Sequence, residues 1–546
     1  GKSFYSLTSS LSVQSRSEKP TRFVSMIFIL LLSILPFSSS LNILHYASTV
    51  AGSHLSYAHQ LTNTLVKHGH TVDFIQVRVN ALVKNSTGSK ARKTVIVEFP
   101  GNKSPWNENA GHLSGPFQDL STSNPFKEGV FSKYTHAMEQ LCPYVLDSEE
   151  VNALFSSSKY DIAIASAYDF CSLGLFYNYG IAVTMYSPCP LFYFQVVHSG
   201  SPELPLYENS VIDSRVRVDR SSFIDRLFEW SRSAYSRWLH DKHGDTATVL
   251  FRSRYGSSFP DARQLARRVS FDFINTFPLL DEPRPITPRI KYIGGIGLSD
   301  PKPLSTEIES ILKTSKKGNV LFSFGTQVPS QNFEPHHVKN FIAAFKQFPD
   351  FNFLWKFDGR TPLNATNVFN LDWLPQTDLL FDSRVVAFIS HMGLNSFVES
   401  SMAGVPLITI PLMVDQFHNA RQAIRLGTGV GLDKTDLSEE RIVEALKKVL
   451  LDKKYKERAE SLKGKLRDNP EKSERTLMES IEFAAKYSDL HEHLTLSSTR
   501  FSWMEAHGYD IVVFITLIVT SLFVFTLYLS YSLLSQLLSL RKIKHD

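Results

Sequence analysis

Leu41-Asn-Ile-Leu-His-Tyr46 is a short apolar run, and the loop Ala47-Ser-Thr-Val-Ala-Gly-Ser-His54 follows it. From Leu55 to Lys67 the apolar residues Leu55, Ala58, Leu61, Leu65 and Val66 return on one face at helical spacing. His68-Gly-His70 ends that helix, with Gly69 as the C-terminal breaker, and Thr71-Val-Asp-Phe-Ile-Gln-Val77 is the next strand. A β-loop-α-β unit of this kind opens a doubly wound sheet. Tyr160-Asp-Ile-Ala-Ile-Ala165 and Ile181-Ala-Val-Thr-Met-Tyr186 supply further strands of the same sheet.

Pro283, Pro285 and Pro288 mark a linker, after which the pattern repeats. Val320-Leu-Phe-Ser-Phe324, Asn352-Phe-Leu-Trp-Lys356, Val385-Val-Ala-Phe-Ile389 and Pro406-Leu-Ile-Thr-Ile410 are near-continuous apolar runs separated by helical stretches. Such strands belong to parallel sheets covered on both faces. The expected fold is α/β, with two Rossmann-like doubly wound domains (41–284 and 285–500) facing across a cleft. Gly427-Thr-Gly-Val-Gly431 follows a helix and precedes a strand, the wrong order for a dinucleotide loop, and reads as a cap and turn. Residues 223–239 form an amphipathic helix, with Phe223, Ile224, Leu227, Phe228, Ala234, Tyr235, Trp238 and Leu239 on one face and Arg226, Arg232 and Arg237 opposite. Packing on its own domain is the default expectation; an acceptor-pocket wall or a helix on a membrane surface is the alternative.

A chain of 546 residues is too long for one ordinary core. With a net charge of +5 and no basic run interleaved with aromatics, nothing calls for nucleic acid as a partner. Cys142, Cys171 and Cys189 lack zinc-site spacing, and an odd count permits one disulfide and leaves one thiol. Residues 1–40 read as leader and signal peptide: Arg22 precedes the apolar run Met26–Leu35, small residues Ser38 and Ser40 precede Leu41, and Met26 is the expected natural start. Residues 511–534 are almost free of charge and long enough to span a bilayer, which takes about 20 apolar residues. The basic tail 535–546 follows, so the body is expected in the lumen. Lys542 and Lys544 stand where a dilysine retrieval signal for the endoplasmic reticulum stands. The sequons at Asn85, Asn102 and Asn364 agree with a lumenal glycoprotein.

The chemistry concentrates between Leu371 and Asn419. The strand Val385–Ile389 runs into Ser390-His391-Met-Gly-Leu-Asn395-Ser396, where a helix begins at once. Ligands of open α/β sheets bind beyond the carboxyl ends of the strands, and a helix N-terminus there suits a phosphate. His391 can donate to the same phosphate. Glu399, one turn inside, can accept from ribose hydroxyls. Asp415 and Gln416 open the next helix with the acceptors and donor that a sugar needs. Taken alone, Asp415 reads as a helix cap.

Trp373-Leu-Pro-Gln376-Thr-Asp-Leu-Leu380, Phe388-Ile-Ser-His391-Met-Gly-Leu-Asn-Ser396, Glu399, Gly404-Val-Pro406 and Pro411 to Gln416 together resemble the signature of the UDP-glycosyltransferase family, nearest its lumenal UDP-glucuronosyltransferases. The resemblance implies a GT-B arrangement and sugar transfer from a UDP-sugar, the donor substrate, with no further cofactor. It places Trp373 at the uracil and Gln376 at base or ribose. His391 and the N–H groups of Asn395 and Ser396 would meet the diphosphate, with Thr326 facing it. Glu399 would hold the ribose, and Asp415 and Gln416 the sugar. The acceptor would be a small lipophilic hydroxyl, phenol or amine, as in detoxification. The enzyme would be anchored in the endoplasmic reticulum membrane by a single span, alone or as a homo- or hetero-oligomer. No metal is expected, since no DxD-type acidic pair stands at a strand end.

Gly52-Ser53-His54 stands where the family keeps its catalytic histidine. A neutral imidazole there would take the acceptor proton while UDP leaves from the opposite face, inverting the anomeric carbon. Two positions depart from the family pattern. Met392 replaces a glycine, and a methionine adopts positive φ only at a steric cost. Ser166 replaces the acid that steers the histidine, which makes Asp169 the expected substitute, its other reading being a cap for the helix beginning near Phe170. These departures also admit a UDP-sugar-binding pseudoenzyme that partners active relatives.

Overall fold

The computed structural model describes residues 40–81, 83, 88–102, 104–108, 117, 130–199, 222–298, 300–325, 333–357 and 365–543. Thr326, the sequon asparagines Asn85 and Asn364, the leader through residue 39 and Lys544 lie outside the described residues.

Among the described residues thirteen strands form two sheets, and every paired strand is parallel to its neighbour. The first sheet contains β1 (Asn42–Thr49), β2 (Thr71–Arg78), β3 (Lys93–Glu98), β4 (Ile162–Ser166), β5 (Val183–Ser187), β6 (Asp272–Ile274) and β7 (Ile290–Tyr292), in the order β3-β2-β1-β4-β5-β6-β7. The second contains β8 (Gly318–Ser323), β9 (Phe351–Lys356), β10 (Val368–Leu371), β11 (Val385–Ser390), β12 (Leu407–Thr409) and β13 (Gly429–Gly431), in the order β10-β9-β8-β11-β12-β13. The strand order reverses between β1 and β4 in one sheet and between β8 and β11 in the other. Those two switch points are where open sheets leave a crevice for ligand.

The helices that matter below are α1 (Gly52–Lys67), α2 (Val130–Asp147), α3 (Cys171–Asn178), α4 (Phe223–Tyr255), α5 (Leu394–Ala403), α6 (Asp415–Arg425), α7 (Ser473–Lys486) and α8 (Tyr509–Ile543). A disulfide joins Cys142 on α2 to Cys171, the first residue of α3, and Cys189 is free and buried. The core of the second domain is built from aromatic rings: Phe322, Phe341, Phe345, Phe353 and Trp355 pack together, and Phe345 lies flat on Phe353 with centroids 3.9 Å apart. Aromatic pairs of this kind add stabilisation beyond their buried area.

Two expectations need correction. The domain boundary does not fall at 284/285. β7 lies beyond it yet pairs with β6 as the edge strand of the first sheet. The chain also returns at the end of the second domain. Leu477, Met478, Ile481 and Ala484 of α7 pack with Ile43, Ile162, Ile164 and Phe273 of the first sheet. Ser473 donates to the Gly294 carbonyl at 2.7 Å, and Lys67 pairs with Glu474 at 3.1 Å. A local pattern marks α7 as amphipathic, but only tertiary packing decides which domain receives its apolar face.

The amphipathic stretch is the front half of the 33-residue helix α4. Its rear half is core: the buried Phe251 ring enters beside Gly174, where a Cβ would lie 2.0 Å from the ring. Among the described residues its front half is largely exposed rather than packed on the domain as expected. Phe223 is 67% exposed and Trp238 55%, with Ile224, Leu227, Phe228 and Trp230 similarly open. α8 contains the 32-residue apolar span Tyr509–Leu540, none of it buried within the protein.

Candidate active site

On the second domain, β11 delivers His391 directly to the start of α5. Gly393 caps that helix without a side-chain acceptor, so the first-turn N–H groups face outward unpaired, as helix N-termini do. The His391 ring lies between two glycines. A Cβ on Gly393 would sit 2.7 Å from its Nε2, and one on Gly325, just past β8, would sit 2.7 Å from its Cε1. The ring is buried with Nδ1 unpartnered. Burial, reinforced by the Lys356 charge and opposed by the Ser323 backbone, pushes its pKa down to about 4. It is therefore neutral at pH 7 and keeps one N–H to donate.

Between His391 and Gly393, Met392 adopts φ 67°. This is the positive φ expected from its place in the loop. The strain is held by its surroundings: the side chain is fully buried among the apolar residues beneath α5, its N–H donates to Ser390 Oγ at 3.0 Å, and its carbonyl accepts from Asn419 Nδ2 at 2.9 Å. A second strained residue, Val414 at φ 46°, immediately precedes α6. A β-branched residue there is a true outlier, and such strain persists only where neighbours over-determine it.

Gln376 donates to Glu399 Oε2 at 2.6 Å and to Ser396 Oγ at 3.1 Å, tying three of the expected ligand residues into one cluster. Burial raises the Glu399 pKa, and the bonds from Gln376 and Thr377 oppose that. Trp373 stands 68% exposed, an open aromatic face on which a base can stack. Asp415 does not cap α6, since Val414 holds that position; its Oδ2 accepts from Asn419 Nδ2 at 3.2 Å. Burial pushes the Asp415 carboxyl up to about 6. Gln416 spends its side-chain carbonyl on the Leu412 and Met413 N–H groups at 2.9 and 3.1 Å, which leaves its amide Nε2 to face a ligand.

On the first domain, His54 sits in the first turn of α1, past the end of β1. Its ring stacks on Tyr168 at 5.7 Å, and Nε2 lies 3.7 Å from Cys189 Sγ. Burial pushes its pKa down to about 4, so at neutral pH it is a free base. The expected Asp169–His54 pairing is not formed. His54 Nδ1 makes no hydrogen bond, while Asp169 Oδ1 accepts from Ser172 N at 3.2 Å at the start of α3. Asp169 lies one residue before the N-cap position, which Phe170 holds; its Oδ1 serves the Ser172 N–H, and its buried Oδ2 has no partner among the described residues. Ser166, at the end of β4, accepts from Ser48 Oγ at 2.8 Å, and Tyr134 OH donates to Ser48 at 2.9 Å.

Burial chiefly, then the charge of Asp415, holds the Cys189 thiol well above its usual range. Tyr168 is raised by burial and by Cys189, with Asp415 adding to both. Asp415 thus lies within electrostatic reach of the residues that touch His54. Asn275 Nδ2, just past β6, donates to Asn395 Oδ1 at 3.1 Å across the cleft. His418 on α6 meets Asp281 at 2.9 Å, and Arg284 meets the same buried carboxylate at 3.2 Å.

Residues 43–542 match the family model described as UDP-glucoronosyl and UDP-glucosyl transferase. The chain belongs to this family. The Caenorhabditis elegans ugt-47 protein is 26% identical over 509 residues, covering 90% of this chain and 93% of the relative. UDP-glucuronosyltransferase 2B1 of Rattus norvegicus is 26% identical over 469 residues, covering 84% and 87%. UDP-glucosyltransferase 2 of Dactylopius coccus is 30% identical over 318 residues, covering 58% and 61%. Among solved structures, Medicago truncatula UGT71G1 complexed with UDP-glucose aligns at TM-score 0.54 and 16% identity, covering 82% of this chain and 98% of that one. This UDP-glycosyltransferase therefore has the GT-B fold, and it is an enzyme that transfers sugar from UDP-sugar to an acceptor.

Reading the sequence missed several residues of the transferase site. Lys356 donates to the Gly325 carbonyl at 2.7 Å and lies over the Trp373 ring at 5.6 Å, putting a cation beside that exposed ring. Its signal was present: one charged residue closing an otherwise apolar strand. Asn275, Tyr168 and Cys189 carried no local signal, because they meet Asn395 and His54 across distant parts of the sequence.

Proposed function

We propose that this transferase moves glucuronate or glucose from UDP to a hydroxyl, phenol or amine of a small lipophilic acceptor, with inversion and with His54 as general base. UDP fills the crevice at the β8/β11 switch point. Trp373 stacks on uracil, Glu399 holds the ribose, and His391 with the first-turn N–H groups of α5 takes the diphosphate. Asp415 and the Gln416 amide hold the sugar. The acceptor enters from the first domain, and its proton passes to the neutral imidazole as UDP departs from the opposite face.

The observation that supports this reading is that Asn275, just past β6 of the first sheet, donates to Asn395 in the first turn of α5 at 3.1 Å, which brings the helix start beside His391 against the first domain that carries the neutral His54. We further infer that Tyr509–Leu540 anchors the enzyme in the endoplasmic reticulum membrane with its domains in the lumen, where lipophilic acceptors partition from the bilayer.

The test is UDP release by the membrane-bound chain, with UDP-glucuronate and UDP-glucose as donors and a panel of lipophilic acceptors. Acceptor-dependent release that His54→Ala abolishes, with UDP binding intact, supports the assignment. Release that survives His54→Ala removes His54 as base. Donor binding without release to any acceptor favours a binding protein.

A further inference from the structure

Asp281 is buried between the two domains, and its carboxylate is shared by them. Oδ1 accepts from His418 Nε2 on α6 at 2.9 Å, and Oδ2 accepts from the hydroxyl of Tyr292, the last residue of β7, at 3.2 Å. Arg284 Nη2 donates to Oδ1 at 3.2 Å, and the Asp281 carbonyl accepts from Arg425, the last residue of α6, at 3.0 Å. The segment that carries Asp281 leaves the first sheet at β6 and enters the second domain, where Phe277 and Leu280 join the apolar cluster of Leu394 and Phe397 on α5. An apolar contact would hold α6 with less desolvation of charge, but only bonds of set length and direction fix how the helix is turned. α6 is also entered through Val414 at φ 46°, a strain that persists only while neighbours hold it.

Resting on the transferase reading above, we infer that Asp281 and His418 are positioning residues: they set the sugar on α6 at bonding distance from the acceptor on the first domain, and they govern transfer without holding the nucleotide. His418 follows Asp415 by three residues and Gln416 by two, so it fixes the turn of helix that carries both sugar contacts. Tyr292 ties the same carboxylate to the sheet whose first strand leads into His54. In the transfer step the acceptor O–H bond breaks and its proton moves to His54. The acceptor oxygen bonds to the anomeric carbon, and the bond from that carbon to the β-phosphate oxygen breaks, UDP leaving with the electron pair. The two reacting atoms are thus carried by different domains, and a misplacement of about 1 Å costs such a step about a hundredfold. UDP itself lies against Trp373, Glu399 and His391, on elements that precede α6, so a turn of α6 moves the sugar and leaves the nucleotide in place.

The experiment measures kcat for acceptor-dependent UDP release, and UDP affinity, for the full chain in membranes and three variants. His418→Ala cuts the arm to α6. Tyr292→Phe cuts the arm to the first sheet by removing one hydroxyl. His418→Gln returns an amide N–H to the place of the imidazole Nε2. His418→Ala is expected to lower kcat roughly tenfold or more while UDP affinity stays within about twofold. Tyr292→Phe should shift kcat in the same direction, and His418→Gln should restore most of the loss. General damage to the fold would weaken UDP binding along with kcat, and glutamine would not reverse it. Unchanged kcat in His418→Ala, or a loss of UDP affinity in step with kcat, overturns the inference. Should His418→Ala not fold, unchanged kcat in Tyr292→Phe overturns it. UDP-sugar binding by the unsubstituted chain with no release to any acceptor overturns the transferase reading and this one with it.

Discussion

Gly393 and His391 are packed so closely that a single Cβ on the glycine would lie 2.7 Å from the imidazole Nε2. Gly393 has an ordinary φ of −55°, so its need for a hydrogen side chain is purely steric. Gly325 on the other side of the ring combines the same closeness with φ 69°. Gly393→Ala is expected to displace the ring and lose the hydrogen bond proposed between it and the diphosphate, worth about 1 kcal/mol net and so roughly fivefold in UDP affinity. Titration calorimetry should give Gly393→Ala and His391→Ala similar UDP affinities. Gly325→Ala should bind as weakly and also melt lower, because it adds backbone strain.

Met392 sets two effects against each other. Replacing it with glycine relieves a positive φ that disfavours side-chain residues by about 1–2 kcal/mol. It also empties a fully buried site, and truncating a buried methionine to alanine already costs about 2–5 kcal/mol. The cavity wins, so Met392→Gly is expected to destabilise the protein by about 1–3 kcal/mol. Urea unfolding measures it; a gain in stability would mean that the surrounding apolar residues collapse into the space.

The sheets were legible because their central strands are continuous apolar runs, as at Val385–Ser390 and Phe351–Lys356. β3 was not: it is an edge strand whose burial alternates, with Lys93 and Glu98 exposed at its ends. β6, β7 and β13 are three residues each, too short to show a period. The donor side of the site was legible as an ordered series of residues at strand ends and helix starts. The acceptor side was not. Ser166-Ala-Tyr-Asp169 fits both a steering acid and a helix cap, and the choice depends on where α1 places His54. Lys356 and Asn275 show the same limit, since each takes its contact from a partner on another element.

Asp169 offers a test of that choice through pH. Burial pushes its carboxyl up to about 6, opposed by the bonds that it accepts. The unfolded carboxyl titrates near 3.9, so between about pH 4 and 6 the folded protein holds a proton that the unfolded chain has released. Stability from this group is therefore present at low pH and lost as pH rises through 6, by up to about 3 kcal/mol. Asp169→Asn keeps an acceptor for Ser172 and abolishes the titration. Relative to the unsubstituted chain it should gain about 1–3 kcal/mol between pH 4.5 and 7.5, read as a rising difference in unfolding free energy. Its turnover should stay within severalfold. A large loss of kcat at unchanged stability would instead return Asp169 to the role of steering His54.

The Cys142–Cys171 disulfide links this stability to the site. It closes a loop with a sequence separation of 29, for which chain entropy gives about 3–4 kcal/mol. It joins α2, whose Tyr134 bonds Ser48, to the first residue of α3, beside which Asp169 accepts from Ser172. Reduction, or the double change Cys142→Ala and Cys171→Ala, should lower the melting temperature and loosen the packing beneath His54, reducing turnover more than UDP affinity. Cys189→Ala is the control. It removes a buried thiol but no cross-link, so it should cost about 1 kcal/mol and leave the sensitivity to reductant unchanged. If reductant lowers melting and turnover of the Cys189→Ala variant as it does those of the unsubstituted chain, the effect belongs to the disulfide. If Cys189→Ala abolishes the sensitivity, the effect does not belong to the Cys142–Cys171 disulfide alone.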